Sequence, residues 1–488
     1  MIRRGPTALA VLLVTASLSF HVWWGGRVQL SPHEAYYWQL ARHLDVSYFD
    51  HPPLAAWTIR AATELFGDSE RAIRLAAAVH AAIASLFLFL AGRRLFGPTA
   101  AVAALAVALA TPIFSLGQAI ITPDGPLVAG WLAALYFTVR AIEEERGSWL
   151  LAAGAAAGFA ALGKYTGWFL PPQILAALLI DARGRRLLRG PWPWLGLTLA
   201  VAMFAPVIAW NAHHDWVSFS YQLVGRIAGL GSPKLDPLMR FIGLEALLVT
   251  PILGGVVWVA AVAAAKRPDL PMRLCAIFAL PPLALFLALS PFTWVRGSWA
   301  APGYAVAILA AAGFLFEDLR TRRGLALVAT ATAALGSAYL HAAVLIPQLP
   351  FPAKQVSTLG WKELAQRVDV ERRKTRSQPF VLGCGFKVAS ALAYYLPGRP
   401  ETFSSNVMGE EGLQYGIWFR PEDIAGRDGL LVTDRRERGA WCRERAKACA
   451  ELTKLPNLVI RRSRQPVTTF EIYRCRAPVT PLARPPAG

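Results

Sequence analysis

Charge is what this chain of 488 residues has least of: only 17% of its side chains are charged, where a soluble protein carries about 25%. The deficit is concentrated. Residues 98–123, "PTAAVAALAVALATPIFSLGQAIITP", hold no charged side chain at all. An apolar run of about 18 residues or more spans a bilayer, because about 20 residues at 1.5 Å rise cross its hydrocarbon core. A soluble globular fold is thereby excluded. Also missing are a CxxC pair with a nearby histidine, which argues against a structural zinc site, and any internal repeat of the kind that builds paired transporter halves. The opening "MIRRGPTALAVLLVTASLSFHVWWGG" has no convincing small-x-small cleavage site before Trp23 and Trp24. It reads as an uncleaved first helix.

What is present is a series of apolar stretches. Eleven spans are expected, at about 6–24, 72–91, 98–117, 126–140, 148–163, 167–181, 193–210, 239–264, 274–290, 299–316 and 323–345. Two are short, so twelve or thirteen are compatible with the pattern. Arginine and lysine collect in alternate loops, including "DARGRRLLR" (181–189) and "KRPDLPMR" (266–273). The positive-inside rule makes that side cytoplasmic. Residues 25–71 then form a first external loop, and everything after about 346 lies on the same outer side.

From residue 346 onward the composition is that of a soluble domain, with 24 Lys and Arg against 14 Asp and Glu. "PFVLGCGF" and "GLLVTDRRERG" read as buried strands. "VSTLGWKELAQRVDVERRKT" and "AWCRERAKACAEL" read as helices, and "LVIRRSRQPVTTFEIYRCR" as a terminal hairpin. The expected architecture is a polytopic α-helical membrane domain, residues 1–345, followed by an extracytoplasmic α/β domain, residues 346–488. Four of the five cysteines (Cys384, Cys442, Cys449 and Cys475) fall in the second part, where disulfides are permitted. Cys442 and Cys449 lie about 10 Å apart along a helix, too far to bridge each other, so more distant partners are expected. A basic outer domain suits anionic lipid or glycan rather than nucleic acid.

The unusual polar residues map to the outer face. "LSPHEAYYWQLARHLDVSYFDHPPLAAW" (30–57) contributes His33, Glu34, Tyr37, Asp50 and His51; "ITPDGPL" contributes Asp124; "GKYTG" Lys164 and Tyr165; "WNAHHDWVSFSYQ" His214; and "FTWVRGSWAAPGY" Arg296. Each also has a structural reading. Tyr36, Tyr37, Trp38, Trp57, Trp294 and Trp299 suit an interfacial aromatic belt. Asp124 could cap the fourth span and Lys164 could snorkel from a helix end. "HHDW" could be a solvated loop, and Glu245 within the eighth span is paired or cavity-facing. For Glu34 and Asp50 the structural reading is weaker, since two acids in a Tyr/Trp-rich setting need partners and burial tunes carboxylates toward base chemistry.

Taken together, "SPHEAYYW…YFDHPPL", "PDGPL", "GKYTG" and "WNAHHDWVSFSYQ" resemble the bacterial branch of the protein O-mannosyltransferase and aminoarabinose transferase superfamily, over roughly residues 25–305. That resemblance implies a GT-C fold and a glycosyltransferase that uses a polyprenyl-phosphate-linked sugar donor, inverting, with a glycan, lipid or protein acceptor. By the same resemblance, Glu34 matches the second acid of a pair opening the first loop, and Asp50 the acid of a (D/E)-x-P-P motif. His51 stands in the place of the phosphate-side base, and Asp124 matches an acid that supports the first loop. His33 occupies a position where relatives carry aspartate, so His33, Glu34 and Asp50 all remain candidates for the general base. His51, Lys164 and Arg296 are candidate cations for the departing phosphate, and Tyr37, Tyr165 and His214 candidate substrate contacts. A divalent metal held by Asp50 with His213 and His214 is an open alternative, as are a glycan ligase or polymerase and a lipid-sugar transporter. The expected location is the inner membrane, with the site facing outward.

Overall fold

The computed structural model describes residues 5–224, 230–317, 319–352, 356–374, 378–436 and 449–478. It divides into two compact units. One contains the chain up to Gly25, His51–Gly67 and Arg71–His341. The other contains Gly26–Asp50, Asp68–Glu70 and the chain from Ala342 onward.

The first unit is helical. Its helices of eight residues or more are α1 (Gly5–Gly25), α3 (Leu54–Phe66), α4 (Glu70–Ala110), α5 (Pro112–Ala119), α6 (Asp124–Glu143), α7 (Trp149–Gly163), α8 (Leu170–Leu179) and α9 (Trp192–His213). They continue with α10 (Leu235–Leu248), α11 (Pro251–Lys266), α12 (Leu270–Leu289), α13 (Ala301–Glu317) and α14 (Leu319–Leu345). Every one of the eleven expected stretches carries helix. Among the described residues seven helices are long and apolar enough to cross a membrane, or eight if α10 and α11 form one span. The protein is therefore a multi-span membrane protein. The second and third expected spans stay two helices within α4: they meet at a kink at Gly97, whose non-helical φ of 84° precedes Pro98, and the third continues into α5.

The expected single span 239–264 is instead broken: α10 and α11 meet at 101°. The cause is Pro251. Its missing N–H and ring disfavour helical geometry in the preceding residue, and Thr250 takes a φ of 67° while Pro251 starts the new helix.

Between helices, packing relies on close backbone approach, because lipid tails are as apolar as leucine and give no hydrophobic drive to helix pairing. A Cβ on Gly154 of α7 would lie 2.0 Å from the Gly196 carbonyl oxygen of α9, and one on Gly130 of α6 would lie 2.7 Å from the Ala156 oxygen. Only glycine fits at these crossings.

The second unit holds α2 (Pro32–Arg42), α15 (Trp361–Arg373), α16 (Phe386–Tyr395) and a five-stranded sheet. The strands are β1 (Phe380–Gly383), β2 (Gly429–Asp434), β3 (Cys449–Lys454), β4 (Leu458–Arg462) and β5 (Gln465–Pro478). The sheet order is β1-β2-β5-β3, with β4 paired to β5. β1 and β2 run parallel, flanking the crossover through α16, and the other pairings are antiparallel. β1, β2, α15 and the β4–β5 hairpin lie where the sequence patterning puts them. The expected helix over 440–452 does not hold at its end: Cys449–Lys454 is strand, paired with β5, while 437–448 and with it Cys442 lie outside the described residues. The pairing brings Cys449 to Cys475, a disulfide closing 26 residues of sequence. Cys275 is free and buried in α12.

The first external loop does not stand as a loop. Its residues 26–50 belong to the second unit, tied in by side chains. Leu30 N donates to Tyr395 Oη (2.6 Å), Trp361 N to Gln29 Oε1 (2.9 Å), and Arg42 pairs with Glu401 (3.0 Å).

Candidate active site

In the second unit, α2 begins at Ser31 with a reciprocal cap. Glu34 N donates to Ser31 Oγ (3.3 Å) and Ser31 N donates to Glu34 Oε2 (2.9 Å). The S-x-x-E spacing of Ser31 and Glu34 is the sequence mark of this cap. Glu34 is fully buried, so at least one of its oxygens has the job of starting a helix. His33, half-buried, stands edge-on to Phe386 at 6.0 Å.

Two residues further on, the Tyr36 hydroxyl donates to Asp50 Oδ1 at 2.9 Å. The same hydroxyl accepts from Gln414 N (3.4 Å), and the Gln414 side chain accepts from Phe49 N (2.7 Å). Burial, then the charge of Asp50, push the Tyr36 hydroxyl well above its ordinary pKa. It therefore stays a proton donor to Asp50, which is 8% exposed. The aromatics of this segment are not an interfacial belt. Tyr36, Tyr37 and Trp38 are all buried, Tyr37 against the Tyr36 ring and Trp38 donating to Asp68 Oδ1 at 2.8 Å. The alternation that brings these rings inside depends on the C-terminal segment folding over them, which no local pattern encodes.

In the first unit, Asp124 is the first residue of α6, yet it makes no capping bond there. Lys164 Nζ donates to its Oδ1 (2.6 Å) and Ser298 Oγ to its Oδ2 (3.0 Å). Lys164 also lies 5.4 Å from the Trp299 ring. Three separated motifs, "PDGPL", "GKYTG" and "RGSWA", thus meet in one cluster, which replaces the alternative readings of Asp124 as a cap and Lys164 as a snorkelling side chain. This cluster borders a cavity of about 210 Å³ that runs between α4, α5, α6 and α13, lined by His80, Ser85, Gln118, Asp124, Ser298 and apolar side chains.

His80 was not singled out in the sequence. It is 1% exposed, and neither ring nitrogen finds a hydrogen-bond partner among the described residues. Arg74 was missed as well: it is buried at the start of α4, donates to the Gly25 oxygen at 2.7 Å and faces the Trp24 ring at 5.8 Å. An arginine carried inside the apolar run, three residues beyond Arg71, was the available sign of Arg74.

The remaining expected site residues sit elsewhere. Tyr165 packs on Phe204 and Phe219, His214 stacks on Trp210 at 3.9 Å and donates to its own helix, and Arg296 lies 5.2 Å from the Trp294 ring. Trp294 is exposed, as a belt residue would be. Among the described residues no three His, Cys, Asp or Glu side chains gather to hold a metal, so the arrangement with Asp50, His213 and His214 is not formed.

Known proteins carry matching features. The profile of the family described as dolichyl-phosphate-mannose-protein mannosyltransferase matches residues 50–210. A lipid A galacturonosyltransferase of Rhizobium johnstonii is 26% identical over 300 residues, 61% of this chain and 62% of that protein. An undecaprenyl phosphate-α-4-amino-4-deoxy-L-arabinose arabinosyl transferase of Pseudomonas paraeruginosa is 26% identical over 260 residues, 51% of this chain and 47% of that one. The matched stretches thus span about half to three fifths of these relatives' own length. The crystal structure of ArnT from Cupriavidus metallidurans bound to undecaprenyl phosphate superposes with a TM-score of 0.62 at 18% identity, over 96% of this chain and 98% of that one. The chain therefore has the membrane-helix-plus-small-sheet fold of ArnT and resembles the polyprenyl-phosphate-sugar-dependent glycosyltransferases.

Proposed function

We propose that this protein is a membrane glycosyltransferase that moves a monosaccharide from a polyprenyl-phosphate carrier to an acceptor hydroxyl at the outer face of the inner membrane, with lipid A as the acceptor. The observation that carries the reading is the seat of Asp50: a buried carboxylate, one oxygen fixed by the Tyr36 hydroxyl, on a segment pinned by Gln414. That is what a general base requires, namely a fixed direction and a neighbour that cannot take the proton. Glu34, held in its helix cap, serves as scaffold, and His33 flanks it. Asp50 takes the acceptor proton as the acceptor oxygen attacks the anomeric carbon. The bond from that carbon to the phosphate oxygen breaks, and polyprenyl phosphate leaves with the bonding pair, inverting the centre.

Charge on the leaving phosphate needs cations. Lys164 is already balanced by Asp124, so His51 and Arg296 are assigned that role. Tyr37, Tyr165 and His214 shape their surroundings rather than touch the reacting atoms. The apolar cavity beside Asp124 supports a donor with a hydrocarbon carrier, as does the undecaprenyl phosphate in the name of the Pseudomonas relative, and the name of the Rhizobium relative supports lipid A as acceptor. The arginine-rich loops support an orientation in which the second unit lies outside the cytoplasm.

The test has two arms. Mass spectrometry of lipid A from cells with and without this gene should differ by one sugar residue, and identical spectra would sink the acceptor assignment. Purified Asp50→Asn protein should fold in the membrane and lose transfer. Near-normal turnover would remove Asp50 from the chemistry.

A further inference from the structure

Residues 181–197, "DARGRRLLRGPWPWLGL", hold four arginines followed by two tryptophans, and the reaction proposed above uses none of them. Asp181 caps the short helix Ala182–Leu187 by accepting from Arg183 N at 2.9 Å. Two of the arginines are neutralised: Arg183 by Asp181 (3.1 Å) and Arg186 by Glu145 (2.7 Å). Among the described residues the other two are not. Arg185 spends one N–H on the Leu179 carbonyl (2.9 Å), which fixes its direction without balancing its charge. Arg189 is exposed and makes no ion pair among the described residues.

Beside this helix lies a second cavity, of about 290 Å³, between α7, α8 and the start of α9. Its walls are apolar: Pro171, Leu175, Leu178, Leu188, Trp194 and Leu197 among them. It exists because Gly154 and Gly196, which also line it, bring α7 and α9 into backbone contact, and helices crossing that closely diverge beyond the contact. Leu178 and Leu188 put the cavity one residue away from the Leu179 carbonyl that anchors Arg185, and one residue from Arg189. Trp194 is 57% exposed at its edge, with Trp192 nearby at 38%, where amphipathic rings mark the headgroup level of a bilayer.

We propose that this is a binding site for an anionic phospholipid, with one acyl chain in the cavity and the headgroup phosphate on Arg185 and Arg189. An acyl chain matches the apolar walls. Two arginines without an ion pair among the described residues, Arg185 bonded beside the cavity-lining Leu178 and Arg189 next in sequence to the cavity-lining Leu188, match a phosphodiester, which arginine holds through paired N–H donors, and basic pockets between membrane helices recognise anionic headgroups in this way. A zwitterionic lipid would bring a third cation beside the two arginines.

The experiment uses the purified full chain in detergent, titrated with phosphatidylglycerol, phosphatidylcholine or soluble glycerol phosphate, with occupancy read by native mass spectrometry and stability by thermal unfolding. Phosphatidylglycerol should bind and raise the melting temperature. Phosphatidylcholine should bind at least tenfold more weakly, and glycerol phosphate should do neither. The double variant Arg185→Gln/Arg189→Gln, on exposed positions that the fold tolerates, should weaken phosphatidylglycerol roughly thirtyfold, the effect expected of two arginines at a headgroup. Leu175→Trp, which fills the cavity and leaves both arginines, should weaken it as well. Equal binding of the two lipids, protection by glycerol phosphate alone, or undiminished binding by the double variant would each overturn the proposal.

Discussion

Replacing Lys164 with methionine strips the partner from Asp124 and leaves a carboxylate with 15% side-chain exposure holding only the Ser298 hydroxyl. At 2.6 Å, the gross attraction of the pair is about 6 kcal/mol for an effective dielectric near 20. Most of this offsets desolvation. What a variant exposes is the cost of stranding one charge, about 3–5 kcal/mol for a buried pair, and the residual exposure here favours the low end, about 3 kcal/mol. Asp124→Asn should cost less, about 1–2 kcal/mol, because the amide oxygen still accepts from Lys164. The double variant, with no charge left to strand, should cost no more than Lys164→Met alone. The coupling is then about 1–2 kcal/mol, well above the 0.3–0.5 kcal/mol within which independent sites add. The four proteins would be reconstituted in nanodiscs and unfolded side by side with denaturing detergent. If the losses of the single variants add in the double, the pair is not a unit, and its assignment as the support of the 124 and 164 turns is wrong.

Two other perturbations test packing and charge. Gly154→Ala places a methyl 2.0 Å from a backbone oxygen that cannot turn aside, so it should lower the melting temperature and yield. Gly243→Ala on α10, where nothing lies within 4 Å, should be neutral or slightly stabilising by helix propensity; indistinguishable variants would refute the close α7–α9 crossing. In the second unit, burial works to raise the Glu371 carboxyl, but Lys374, Arg367 and Arg474 outweigh it and hold its pKa below the ordinary 4.5. A depressed carboxyl contributes stability that is present above pH 4.5 and lost as pH falls through its folded value. Glu371→Gln should therefore lower stability at pH 7 and converge on the parent in acid, and parallel pH curves would count against the network.

The helices were legible because a bilayer imposes one rule on each stretch separately, that of apolar length. What the sequence concealed were choices made by distant partners. Pro251 was visible inside the eighth span, but whether a proline kinks a membrane helix or divides it depends on what surrounds it. Asp124 has the look of a cap until Lys164, 40 residues away, claims it. Tyr36 and Trp38 read as belt aromatics because their covering segment is encoded more than 300 residues later, as in the Gln414–Tyr36 contact. The strand at Cys449–Lys454 was mistaken for helix because its partner, β5, outweighs its local composition. Glu34 and Asp50 stood out as chemistry, yet one sentence of local grammar, Ser31 to Glu34, explains part of the first.

The second unit is written in instalments: 25 residues near the start, three in the middle, and the chain from Ala342. Modularity is lost as a result. A stop codon after residue 341 would remove no self-contained appendage, because the seats of Tyr36 and Asp50 are finished by Gln414, and that of Leu30 by Tyr395. A chimera that exchanges only the C-terminal segment would likewise inherit one half of a seam. Any graft that respects this protein must cut between Asp50 and His51 and carry all three pieces together.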